Sequence, residues 1–226
     1  MNNNYYPDMM LADIIQADYH LLLVLPRFGL DLGVGNMTVE QCCAAAGVST
    51  DLFLTVCNVY SFSRFCPTRD MLDRLPPLQL VAYLKRSHGY YAERLDAIME
   101  QLNCLSAKLQ GSYCDLLSSF FADYRREVIR HFDYEENVVF PYVSAIAAGQ
   151  GGDDGYSMKK YEDNHGNIDD KLSDLINIVI KYLHINDAGN VKINLLFDIF
   201  RFEDDLSKHT HIENKILVPL VRSLER

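Results

Sequence analysis

Beyond Pro77, apolar residues recur at helical spacing over four long stretches, about Leu78–Leu109, Cys114–Ala148, Tyr156–His184 and Val191–Leu224. Two of the connections between them are short. Each amphipathic stripe can be buried only against its neighbours, so the pattern predicts an all-α fold, an antiparallel up-down-up-down four-helix bundle over residues 77–226. Ahead of it, the punctuation at Gly29–Gly35, Pro67 and Pro76-Pro77 sets off a small helical N-terminal domain over residues 1–70. Three short helices are expected there, over Leu11–Leu25, Thr38–Ala46 and Thr50–Phe62. Thr38 and Ser49 or Thr50 stand as N-caps, and Gly47 as a stop.

The chain repeats itself inside the bundle. His131-Phe-Asp-Tyr-Glu135-Glu-Asn-Val-Val-Phe-Pro141 aligns with His209-Thr-His-Ile-Glu213-Asn-Lys-Ile-Leu-Val-Pro219, at a constant offset of 78. The histidine, the glutamate four residues later, two apolar positions and the proline all recur, and so does an acid one turn earlier, Glu127 and Asp205. A second pair, His88-Gly89 with Glu93-Arg94-Leu95 and His165-Gly166 with Asp170-Lys171-Leu172, recurs at an offset of 77. One helical hairpin is therefore used twice.

Residues four apart lie on one helix face and can reach a common point. His131 with Glu135, and His209 with Glu213, can each hold one metal ion; His88 and His165 each add a ligand, and a carboxylate between two ions can bridge them. With 31 acids in 226 residues, an acid four positions after a histidine arises by chance about one time in seven, so a single unit says little. Two units in matched contexts say much more. Four imidazoles and two carboxylates suit iron, manganese or zinc, and leave room for oxo or hydroxo groups and an open position for a diatomic ligand. Glu127 and Asp205 are placed to accept the second N–H of the ligand histidines. Asp169 reads as a surface acid; Tyr91, Tyr134 and Tyr161 read as core, and His20, His184 and His211, which have no repeat partners, fall outside the site.

Composition narrows the partners. A formal net charge of −10 and a pI near 5.1 oppose phosphate backbones and anionic membrane surfaces. Residues 28–63 contain no Lys or Arg, so the faint helix-turn-helix pattern there does not point to DNA. No apolar run reaches a spanning length and Met1–Asp8 lacks a positive n-region, so a cytoplasmic protein is expected. The six cysteines include no CxxC pair and read as reduced and mostly core. The apolar first segment offers a surface for a homodimer.

These motifs resemble the hemerythrin-like proteins, and within them the repair-of-iron-centres family of iron–sulfur cluster repair di-iron proteins. His88, His131, Glu135, His165, His209 and Glu213 correspond to the four histidines and two bridging glutamates that hold that family's two oxo-bridged iron ions. The resemblance implies a stress-response protein that reacts with nitric oxide or peroxide, or supports repair of damaged iron–sulfur proteins; a sensor binding O2 or nitric oxide without turnover is the alternative. It extends into the first segment, where relatives carry Tyr-Gly-Ile-Asp-Phe-Cys-Cys-Gly-Gly and this chain has Phe28-Gly-Leu-Asp-Leu-Gly-Val-Gly35. The frame is kept, and Leu32 to Val34 replace the thiol pair. The absence of an obvious fifth histidine disfavours oxygen transport.

Overall fold

The structure is a computed structural model, which describes residues 4–108, 112–150, 156–164, 170–182 and 189–225. The described residues are helical with no strand, and the expected all-α class holds; an isolated antiparallel bridge joins Met10 and Thr38. The helices are α1 Leu11–Ala17, α2 Val24–Phe28, α3 Val39–Ala46, α4 Thr50–Ser61, α5 Arg69–Leu72, α6 Pro77–Lys108, α7 Ser112–Tyr134, α8 Phe140–Ala147, α9 Met158–Asn164, α10 Asp170–Tyr182, α11 Gly189–Ile212 and α12 Val218–Leu224. Among the described residues no helix is long and apolar enough to cross a membrane.

Two compact units emerge. One comprises His88–Val138 and His165–Ser207. Its core draws on four helices, with Tyr91, Leu95 and Ile98 from α6, Phe121 and Phe132 from α7, Leu172 and Val179 from α10, and Leu195 and Phe202 from α11. These positions recur at three- and four-residue spacing, and their burial makes the unit a four-helix bundle.

The other unit comprises Met1–Ser87, Val139–Asn164 and Lys208–Arg226. Its core runs from Leu11 and Ile14 through Leu52, Phe53 and Val56 to Leu80, Tyr83 and Leu84, and on to Phe140, Met158, Ile212 and Val221. Helix α4 is its centre: every residue from Leu52 to Tyr60 is buried, as a helix apolar all round must be. Its polar Asn58 is satisfied there, because Oδ1 accepts from the Tyr5 amide at 2.7 Å and Nδ2 donates to the Tyr5 carbonyl at 3.3 Å.

The local signals worked at the caps. Thr38 and Gln41 form a reciprocal capping box, Ser49 accepts from the Leu52 amide, and Gly47 closes α3 at φ 67°. The helix expected over Leu11–Leu25 is broken instead. Asp18 adopts an extended backbone (φ −143°, ψ 98°), and its carboxylate accepts from the His20 amide at 3.0 Å, the His20 ring at 2.8 Å and the Ser61 hydroxyl at 2.6 Å. That cap starts a separate 3-10 turn, Tyr19–Leu23, before α2.

Both long helices that carry a His-x-x-x-Glu unit change pitch at the glutamate. Glu135–Val139 and Glu213–Leu217 are π turns, after which α8 and α12 resume. Pro141 and Pro219 stand at the same distance beyond each. A proline has no N–H for the carbonyl four residues back and its ring crowds that carbonyl, so the wider turn relieves the conflict. The Asn137 side chain donates to the Asp133 carbonyl at 2.7 Å, partnering a backbone acceptor at the junction.

Candidate metal centre

In the four-helix unit, α6 presents His88, α7 presents His131, and the π turn that follows opens with Glu135. The Glu135 carboxylate lies between the two imidazoles: Oε2 is 3.1 Å from His88 Nε2, and Oε1 is 3.2 Å from His131 Nε2. Glu135 is fully buried and His88 nearly so, while the His131 side chain is 17% exposed. In the other unit, His209 Nε2 is 3.1 Å from Glu213 Oε1, and both side chains are buried.

A carboxylate removed from water is costly unless a cation or donors face it. Here the groups facing it are imidazole nitrogens, whose lone pairs are metal ligands in the neutral ring. Nitrogen and oxygen ligands sit about 2.1 Å from a transition-metal ion, so neighbours at a right angle around one ion are roughly 3 Å apart. The three observed separations match that edge. Among the described residues, the buried histidine and glutamate side chains suited to holding a metal ion are His88, Glu135, His209 and Glu213. The donor set therefore fits a cation of the iron, manganese or zinc type.

Around His88 the packing is specific. Its ring stacks on Phe132, with centroids 4.1 Å apart and planes 12° from parallel. Its Nδ1 lies 3.0 Å from Glu136 Oε1. Phe132 in turn stacks on Tyr91 at 5.8 Å, and the Tyr91 hydroxyl donates to the Asp205 carbonyl at 3.0 Å.

Of the expected second-layer acids, Glu127 is half-buried on α7 one turn before His131, and Asp205 is buried on α11 one turn before His209. The expected ligand His165 lies outside the described residues, as do Asp169 and His184. His211 is exposed, and His20 is engaged with Asp18. Tyr91 and Tyr161 are core residues as expected; Tyr134 is not, being 40% exposed.

Spacing arguments missed Glu136, Phe132 and the π turns. Glu136 is the second acid of an adjacent pair, and nothing in a one-dimensional pattern says which neighbour it will face. The π turns did leave a trace, the proline six residues after each glutamate.

The cysteines divide. Cys42, Cys43 and Cys57 are buried, whereas Cys66 and Cys104 are exposed, contrary to a core role for those two. Both positions carry a small thiol that neither unit needs for packing. Burial pushes the Cys43 thiol up to about 12 and Cys57 well above its ordinary range. At the Gly-rich loop, Leu30, Leu32, Val34 and Met37 line a groove of about 330 Å³ with Cys42 of α3. Its thiol is likewise raised by burial.

The family model described as "Hemerythrin HHE cation binding domain" matches residues 79–222. No curated protein matches the chain.

Proposed function

The chain belongs to the hemerythrin HHE cation-binding family, and we propose that it is a non-haem di-iron protein of nitrosative and oxidative stress. In this reading His88, His131 and Glu135 would hold one ion, and His165, His209 and Glu213 the other. The observation that carries it is the fully buried Glu135 carboxylate with an imidazole nitrogen at about 3 Å from each oxygen. The repeat of that unit at His209 and Glu213 supports it further. Iron bound there would supply redox chemistry and an open position for nitric oxide, O2 or peroxide. The chain's own residues supply the rest: imidazoles that orient the ions, carboxylates that neutralise them, and a Phe132–Tyr91 wall that excludes water from the His88 face.

The likeness to the repair-of-iron-centres family supports a role in maintaining damaged iron–sulfur proteins. The replacement of its thiol pair by Gly33 and Val34 confines that role to the metal centre itself.

Iron-supplemented expression of the full chain should give protein that keeps two iron ions, shows the absorption of an oxo-bridged diferric pair and changes spectrum with nitric oxide. Protein that retains no metal after anaerobic iron loading, or that retains it equally after Glu135→Gln and Glu213→Gln, would overturn the reading.

One observation favours a sensor as the second reading. Lys215, two residues past Glu213, donates to the Ser63 and Phe65 carbonyls at 2.9 and 3.2 Å, and the Lys208 ammonium sits 4.5 Å from the Tyr60 ring centroid. A change at Glu213 would thus be felt in the first segment. Nitric oxide should then alter proteolysis of residues 1–70 in the wild type and not in Lys215→Met; equal cleavage with and without the gas would exclude it.

A further inference from the structure

The two repeats are not equivalent one residue past the buried glutamate. The first has Glu136; 78 positions on, the second has Asn214. Glu136 Oε1 is 3.0 Å from Nδ1 of His88. A carboxylate only accepts, so this contact places the ring hydrogen on Nδ1 and turns Nε2 toward Glu135, 3.1 Å away. Phe132 fixes the plane of the same ring by stacking at 4.1 Å and 12°. Stacking alone would allow a half-turn about Cβ–Cγ, which keeps the ring plane but puts the carbons Cδ2 and Cε1 where Nδ1 and Nε2 stand. The acceptor at Glu136 decides which edge faces the buried carboxylate.

Glu136 is well suited to this. Its side chain is 39% exposed and so keeps much of its contact with water, while His88 is only 3% exposed and meets it from inside. A carboxylate oxygen accepting from Nδ1–H also raises the electron density at Nε2, making it a stronger donor to a cation. Asn214 is exposed and neutral, and its amide cannot do the same to that degree.

We propose that Glu136 is a positioning residue that holds His88 in its ligating tautomer and orientation, so that the metal ion beside His88 is retained more tightly than its companion. This rests on the di-iron reading above.

The test is iron release from the anaerobically loaded full chain into excess ferrous chelator, followed by absorbance. The wild type should release its two ions in separate phases. Glu136→Ala and Glu136→Asn should speed the slow phase about 10- to 100-fold, the usual effect of losing an outer hydrogen-bond partner of a ligand histidine. Glu136→Gln, whose amide oxygen still accepts, should fall between them and the wild type. A merely structural role would instead appear as a lowered melting temperature of the metal-free chain, which these variants of a half-exposed residue should leave unchanged. Two bound ions released with the same phases in all four proteins, or a wild type that empties in one phase, overturns this proposal alone. A wild type that holds no iron overturns it together with the di-iron reading.

Discussion

His131 Nε2 and Glu135 Oε1 stand 3.2 Å apart across a single helical turn, with the carboxylate fully buried and the imidazole at the edge of solvent. A buried carboxylate serves a bound cation and burdens the metal-free chain, because its desolvation is only partly offset. Glu135→Gln keeps the shape and removes the charge. It should lower iron content by at least one ion per chain while raising the stability of the metal-free protein by about 1–3 kcal/mol. Iron analysis beside urea melts checks both, and a variant with less stability and full iron content contradicts the assignment.

The prolines should matter for the site more than for the fold. Pro141 and Pro219 follow the π turns Glu135–Val139 and Glu213–Leu217. Alanine would restore the missing N–H and let the helix return to α pitch, rotating the glutamate away from its histidines. Pro141→Ala and Pro219→Ala are expected to stabilise the metal-free chain by about 1 kcal/mol and to reduce iron retention. Unchanged iron content in both variants would show that the glutamates do not depend on the π turns.

Acid sensitivity should begin at Asp18. Burial alone would raise its carboxyl, but hydrogen bonds from Ser61 and from the His20 side chain and amide override that and hold it below its ordinary 3.8. A native value under the unfolded one means the contribution is complete above about pH 4 and fades as pH falls through the native value. Denaturation midpoints from pH 6 to pH 2.5 should fall less steeply in Asp18→Asn than in the wild type. Parallel curves would remove Asp18 from the account.

Thiol labelling should separate the cysteines. At pH 8 and with the fold intact, Cys66 and Cys104 should react with iodoacetamide within minutes. Cys43, pushed up to about 12, and the fully buried Cys57 should react only on unfolding. Mass spectrometry of peptides from the native protein reads this directly, and early labelling of Cys57 would mean that α4 opens.

Much of the helical content was legible because its causes are local. Thr38, Ser49 and Gly47 cap and stop helices through contacts within a few residues, and the stripes from Leu95 to Leu102 or Leu195 to Phe202 follow from helical period alone. The break at Asp18 was not legible. It depends on Ser61, 43 residues away, donating to the same carboxylate that caps the next turn.

By itself, the sequence determined the pairing of His131 with Glu135 and of His209 with Glu213, because four residues make one turn of helix wherever that helix lies. It also determined the twofold repeat and, through it, the cation-binding family. Only the tertiary structure decided that Glu135 is fully buried, that its second oxygen faces His88 from another helix, and that Glu136 holds the far side of the same ring. Those relations join positions nearly fifty residues apart. Their distances depend on how helices pack, and helix packing follows the shapes of whole faces such as Tyr91, Phe132 and Phe202 rather than any spacing along the chain.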